Sequence, residues 1–205
     1  MLEYVDGGDL ARWLDPERPV PEPLALHIVD ELALALAYLH GVRDARGLPL
    51  GIVHRDVGPA NVLVSTVGDV KLGDFGVAKA TALADRTAAG TRKGRYSYMA
   101  PEQLAGEPVT AAADQFGLGV TLVELITGRR PFVGETPWAL LEVIRGAPAL
   151  EGLAPDVRAI AARALAPAAG ERFASVDELR RAVAEARRGR EPAGPVELAA
   201  WLASR

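Results

Sequence analysis

His54-Arg55-Asp56-Val57-Gly58-Pro59-Ala60-Asn61 is the stretch on which the fold of this 205-residue chain turns. Taken singly its residues have ordinary explanations: Asp56 can cap a turn, and Arg55 can be a surface charge. Their surroundings narrow the choice. Asn61-Val62-Leu63-Val64 and Asp69-Val70-Lys71-Leu72 are short β-branched runs separated by a Gly-containing turn, which predicts a small hairpin, and Ile52-Val53 predicts a further short strand before it. The hairpin returns the chain to Gly73-Asp74-Phe75-Gly76. Two carboxylates, Asp56 and Asp74, and the amide of Asn61 are thereby expected on neighbouring loops, converging around a divalent ion.

Upstream, Leu24, Ile28, Leu32, Leu36 and Leu39 repeat at helical spacing, predicting a long helix from Pro23 to Leu39 that ends with Gly41 as a left-handed cap. Asp6-Gly7-Gly8-Asp9-Leu10 reads as a turn leading into a helix. Downstream, Ala80 to Arg95 has no sustained period and reads as a mobile surface segment. Thr110 to Thr127 is apolar nearly all round, predicting a buried helix capped by Thr110 and Gly128. Asp114 near its start needs donors, and a neighbouring loop's backbone N–H groups are the expected source. Further helices are expected at Pro137 to Arg145, Pro155 to Leu165, Val176 to Arg187 and Pro195 to Leu202, each opened by Pro, Ser or Asp. The fold class is mainly α, a helical bundle with short β-hairpins. Residues 1–188 form the body. Residues 189–205 read as a linker, Gly189-Arg190-Glu191-Pro192-Ala193-Gly194, followed by a short, loosely docked amphipathic tail.

Composition sets the outer limits. A formal net charge of −4 leaves no basic field to recruit nucleic acid. Cysteine is absent, which excludes disulfides and thiolate metal sites and fits a reducing, cytoplasmic setting. No apolar run approaches the ~20 residues needed to span a bilayer, and the start lacks the pattern of a leader.

The motifs as a set, His54-Arg55-Asp56 with Asn61, then Asp74-Phe75-Gly76, then Ala100-Pro101-Glu102 and Glu171-Arg172-Phe173, resemble those of bacterial-type serine/threonine protein kinases. The resemblance implies the large, C-terminal lobe of that fold, α+β in the family as a whole, and use of ATP with Mg²⁺ on a protein Ser/Thr hydroxyl. Residue by residue, it implies that Asp56 orients the substrate hydroxyl and accepts its proton, and that Asn61 and Asp74 hold Mg²⁺ against the phosphates. Leu2-Glu3-Tyr4-Val5 resembles the hinge, with Glu3 and Val5 offering backbone groups to adenine and Leu63 packing beneath the ring. His54 and Phe75 resemble a packed pair between the two loops. Asp114 resembles the residue that holds the His-Arg-Asp backbone, and Glu102 with Arg172 a buried ion pair. Arg55 beside Asp56 suggests regulation by a phosphate on Thr87 or Thr91.

The chain also departs from the family pattern. Gly58 stands where a Lys touching the transferred phosphate is usual, and Arg95 stands where a Thr is usual, so Arg95 is expected to replace the lost charge. No Gly-rich loop, ATP-contacting Lys or helix with its paired Glu precedes Leu2. The expectation is a large lobe that by itself binds ATP weakly, with Met1 an internal residue of a longer kinase, or one that needs a missing N-terminal lobe or partner protein. The alternative is a non-catalytic, pseudokinase-like interaction module. A small-molecule phosphotransferase would not be expected to carry the Ala-Pro-Glu and late Arg signatures. Tyrosine specificity is disfavoured because the loop lacks an Ala-Ala-Arg or Arg-Ala-Ala run.

Overall fold

The computed structural model describes residues 4–73 and 96–205. Within them the chain is mainly helical with one small sheet. The elements are helices α1 (Glu22–His40), α2 (Pro101–Ala105), α3 (Ala112–Thr127), α4 (Pro137–Ile144), α5 (Pro155–Ala164), α6 (Val176–Arg187) and α7 (Pro195–Ala203) and strands β1 (Gly7–Asp9), β2 (Val62–Ser65) and β3 (Val70–Leu72). The sheet is antiparallel in the order β1-β2-β3, with Asp9 opposite Leu63 and Leu63 opposite Lys71.

Two helices organise the core. The apolar stripe of α1 buries Leu24, Ile28, Leu32 and Leu36 against α3 and α6. In α3, Phe116 stacks on Phe132 with ring centroids 5.8 Å apart. Both helices are apolar around most of their circumference because other elements cover them on several sides. Helix α1 is long and apolar enough, by length and composition alone, to cross a bilayer, which corrects the expectation that no segment is. Its most apolar window is 61% buried inside the protein, as in a core helix.

Helix ends follow local chemistry. Ser175 Oγ accepts the Glu178 N–H at 3.2 Å and Thr136 Oγ1 accepts the Ala139 N–H at 3.1 Å, each satisfying an orphan donor of a first turn. Gly128 ends α3 in the left-handed region at φ 69°.

Five further expectations need correction. Helix α3 starts after Ala111 with no side-chain cap, and Thr110 Oγ1 only accepts the Ala112 N–H at 3.4 Å. Gly41 is right-handed (φ −81°), and its N–H donates to the carbonyls of Ala37 and Tyr38, so α1 tightens into its exit and makes no left-handed cap. Ile52-Val53 forms no strand, because the next two N–H groups are committed to a side chain, as described below. Gly7 to Asp9 is a strand and not a turn. A Cβ on Gly7 would stand 1.9 Å from the Val64 carbonyl oxygen, so only glycine lets β1 approach β2 this closely. The tail is firmly docked: Leu198 is fully buried and Leu202 is 8% exposed. Arg190 crosses the expected linker to Glu22 (2.6 Å) and Asp156 (2.8 Å), while Arg187 and Arg180 converge on the buried Asp30. The expectation for Ala80 to Arg95 lies outside the described residues.

Candidate active site

Asp114, in the first turn of α3 and 1% exposed, holds the loop that carries Asp56. Its Oδ2 accepts the His54 N–H at 2.9 Å and pairs with His40 Nε2 at 2.7 Å, and its Oδ1 accepts the Arg55 N–H at 2.7 Å. From the other side the Arg55 carbonyl accepts Gln103 Nε2 at 2.8 Å, and the Gln103 Oε1 accepts the Ala100 N–H at 3.0 Å. Held at both ends, Arg55 takes a left-handed φ of 68°, alone among the described non-glycine residues. For a residue with a Cβ this conformation costs roughly 1–2 kcal/mol. The loop can lie this close to α3 because Gly117 faces it: a Cβ there would stand 2.8 Å from the Val57 carbonyl oxygen.

Asn61 ends the short 3-10 turn Pro59–Asn61 and leads into β2. Its Nδ2 donates to the Asp56 carbonyl at 2.6 Å, and its own carbonyl accepts the Gly73 N–H at 2.8 Å. His54, 1% exposed, lies with Nε2 3.0 Å from the Gly73 carbonyl, and its Nδ1 receives a long bond (3.4 Å) from the Asp56 N–H. Acceptance at Nδ1 requires the proton on Nε2, so His54 donates to Gly73. Asp56, Asn61 and Gly73 are thus stitched together across three segments. Asp74, next in the chain, lies outside the described residues, as do Glu3, Phe75, Thr87, Thr91 and Arg95.

A cavity of about 500 Å³ opens beside this assembly, lined by Asp56, Gly58, Asn61, Tyr98, Glu124 and Arg130 among others. Gly58 leaves no gap in its wall, since a Cβ there would lie 3.1 Å from Cγ of the Tyr98 ring. The Tyr98 hydroxyl donates to Glu124 Oε2, Arg130 Nε lies 3.6 Å from Glu124 Oε1, and Arg130 Nη1 donates to Ser97 Oγ at 2.9 Å. Burial pushes the Glu124 carboxyl up, against the lowering effects of the Tyr98 hydroxyl and Arg130. It pushes the Tyr98 phenol up as well, and the Glu124 charge adds to that. Among the described residues lining the cavity, Arg130 carries the one cationic side chain.

The model of the family described as protein kinase domain matches residues 1–150. The chain belongs to the protein kinase family. It is 36% identical over 198 residues to the serine/threonine-protein kinase drp72 of Corynebacterium efficiens, covering 95% of this chain and 36% of that one. It is 35% identical over 198 residues to the serine/threonine-protein kinase PknA of Corynebacterium glutamicum, covering 95% and 40%. With the tyrosine-protein kinase MasK of Myxococcus xanthus it shares 40% identity over 147 residues, 70% of this chain and 23% of that one. The chain therefore spans well under half the length of these curated relatives.

The structure also describes other residues singled out in the sequence. Arg172, 3% exposed, makes a two-pronged bond to Glu102 at 2.7 and 2.9 Å and donates to the carbonyls of Ala166, Ala112 and Pro167. Leu63 is half-buried on β2, where a Cβ added to Gly73 would lie 3.5 Å from its Cδ1, and Val5 is half-buried just before β1. Sequence reasoning missed Gln103, His40, Glu124 and Arg130. Only Glu124 left a signal, as a carboxylate inside the apolar run Leu122-Val123-Glu124-Leu125-Ile126. Among the described residues no three His, Cys, Asp or Glu side chains stand together as a metal cluster. Asn61 and Asp56 line one cavity, and the side-chain oxygen of Asn61 is a hard donor of the kind that suits Mg²⁺.

Proposed function

We propose that this chain is the large lobe, residues 1–188 with the docked tail, of a cytoplasmic serine/threonine protein kinase that transfers the γ-phosphate of ATP to a protein hydroxyl. The observation that carries the reading is the bond from Asn61 Nδ2 to the Asp56 carbonyl at 2.6 Å, which ties the candidate base to the candidate metal ligand on one cavity wall. Asp56 accepts the acceptor's proton as its oxygen bonds to the γ-phosphorus and the bond to the β,γ-bridging oxygen breaks, releasing ADP. Asn61 and Asp74 hold Mg²⁺, which when bound neutralises charge on the phosphates. Glu3 and Val5 present backbone groups to adenine, with Leu63 beneath the ring. His54, with Phe75, keeps the two loops in register, and Asp114 fixes the backbone on which Asp56 rides. Catalysis of this kind rests on positioning and electrostatics more than on proton affinity.

Gly58 brings no charge to the transferred phosphate, so Arg95 supplies it, with Arg130, paired to Glu124, as a further cationic side chain lining the cavity. Arg55 meets a phosphate on Thr87 or Thr91 when the kinase is switched on. The acceptor is Ser/Thr, in keeping with the names of two of the relatives; the name of MasK makes phosphoamino-acid analysis of the product the deciding measurement for Tyr.

The test of the site is an amide-shift NMR titration of the purified chain with Mg²⁺-ATP, which registers binding into the millimolar range. Saturable shifts at Asp56, Asn61 and Gly73, lost in Asp74→Ala, are expected. Absence of shifts at those amides, or their persistence in Asp74→Ala, refutes the assignment.

A further inference from the structure

Helix α7 reaches the candidate site from behind. The turn between β2 and β3 contains Gly68, buried and left-handed at φ +86°, and a Cβ built on it would stand 1.9 Å from the carbonyl oxygen of Pro195, the first residue of α7. Turn and helix are therefore in backbone contact. The helix is itself anchored: Leu198 and Leu202 enter the core, Arg187 Nη2 donates to the Ala193 carbonyl at 2.9 Å, and Glu197 Oε2 accepts the Gly194 N–H at 2.9 Å. Beyond α7, Arg205 stacks over Trp201 at 4.5 Å and donates to the carbonyls of Arg18 and Pro19. Pro19 and Val20 line the same cavity as Asp56 and Asn61, and the Val20 N–H donates to the Leu125 carbonyl of α3 at 2.8 Å.

We infer that α7 and Arg205 form a positioning strut, joining the hairpin turn that lies between Asn61 and Asp74 to the Arg18–Val20 rim of the cavity. Strands of four and three residues make a marginal hairpin unless something backs it. Here β1 and α1 pack on the hairpin, and its turn is met in addition by a helix whose far end also grips a rim of the cavity. The strut fixes the separation of two walls that must agree to within about an ångström for efficient transfer. Its mechanical part stands on the geometry alone, and its consequence for nucleotide binding rests on the kinase reading.

Hydrogen exchange on the whole chain tests the strut with three single variants. Gly68→Ala drives a Cβ into Pro195. Gly152→Ala serves as its control, because Gly152 is also left-handed (φ +84°) but has nothing within 4 Å of the added carbon. Arg205→Ala releases the rim. At least tenfold faster exchange is expected at the Ser65, Gly68 and Gly73 amides in Gly68→Ala and at Val20 in Arg205→Ala, with α3 amides unchanged and Gly152→Ala matching the wild type at all of these sites. Unchanged hairpin and rim amides, or acceleration of α3 by the same factor, overturn the strut.

The same variants are titrated with Mg²⁺-ATP by amide shift. A dissociation constant raised at least fivefold in Arg205→Ala supports coupling to the site, and an unchanged constant in a variant whose rim has loosened overturns it. If the wild-type chain shows no saturable shift, the kinase reading has failed and the exchange data alone decide the strut.

Discussion

Asp114→Asn is the substitution whose consequences reach furthest into the site. The carboxylate accepts two backbone N–H groups, His54 on Oδ2 and Arg55 on Oδ1, together with His40 Nε2. An asparagine keeps one oxygen. Whichever way its amide is turned, an NH₂ group faces one of the two backbone donors, leaving that N–H unsatisfied in a buried position at a cost of about 1–3 kcal/mol. The remaining bonds lose charge assistance, roughly a further 1 kcal/mol. Against this, a released Arg55 leaves its left-handed φ of 68° and recovers about 1 kcal/mol. The net expectation is a loss of about 1–3 kcal/mol, which for a domain of this size is a melting-point drop of about 2–12 °C. Urea titration gives the free energy, and hydrogen exchange at His54 and Arg55 shows whether the loss is local. Asp114→Ala, which removes all three acceptor bonds, should lose more. A change in Asp114→Asn below about 0.5 kcal/mol would refute the view that this carboxylate holds the loop.

The other expectations concern packing, charge and pH. Removing Arg172 as Arg172→Ala strands the buried Glu102 and should cost about 3–5 kcal/mol by denaturant titration; a loss under 1 kcal/mol would count against the pair as a structural tie. Gly117→Ala places a Cβ 2.8 Å from the Val57 carbonyl, and overpacking of about 1–3 kcal/mol should outweigh the gain of up to ~1 kcal/mol in helix propensity; a more stable variant would mean that the loop yields freely. The Arg190 guanidinium bonded to Asp156 holds its carboxyl down at about 2 from 3.8. A depressed folded value means stability present above pH 4 and lost as pH falls toward 2. The effect is small because Asp156 is half exposed, and Asp156→Asn should flatten that part of the curve. Tyr98→Phe removes a bond that lowers the Glu124 carboxyl, so Glu124 should titrate at still higher pH in a carbon-detected NMR titration, and an unmoved titration would dissolve the pair.

Much of the helical frame was legible because its determinants are local. Helix α6 runs from Val176 to Arg187, as its pattern predicts, since Ser175 caps it and its apolar residues recur at helical spacing. The interval from Asp56 to Asn61 was equally readable, and the bond between them runs between residues five apart. What the sequence hid depends on partners far along the chain. Arg190 and Glu22 are 168 residues apart, so a stretch composed like a linker gave no sign that it is clasped to α1. Gln103 acts on Arg55 across 48 residues, and nothing in its neighbourhood sets it apart from any other helix-surface glutamine. Ile52-Val53 has strand chemistry, yet the next two N–H groups donate to Asp114, and that tertiary bond overrides local propensity.

The candidate site is built on borrowed rigidity. From Gly51 to Val57 the chain has no regular structure, and a loop without its own ladder cannot by itself hold a carboxylate to within an ångström. It is held instead by a carboxylate on α3 and an amide on α2, while a missing Cβ at Gly117 allows close approach. Each support acts on backbone atoms of the loop, and Asp56 lines the cavity. A left-handed Arg55 persists under this arrangement only because both of its peptide groups are bonded to side chains from separate helices. Loosening either helix should therefore move Asp56 before it unfolds the core, and the start of α3 bears on the proposed chemistry as directly as the residues that line the cavity.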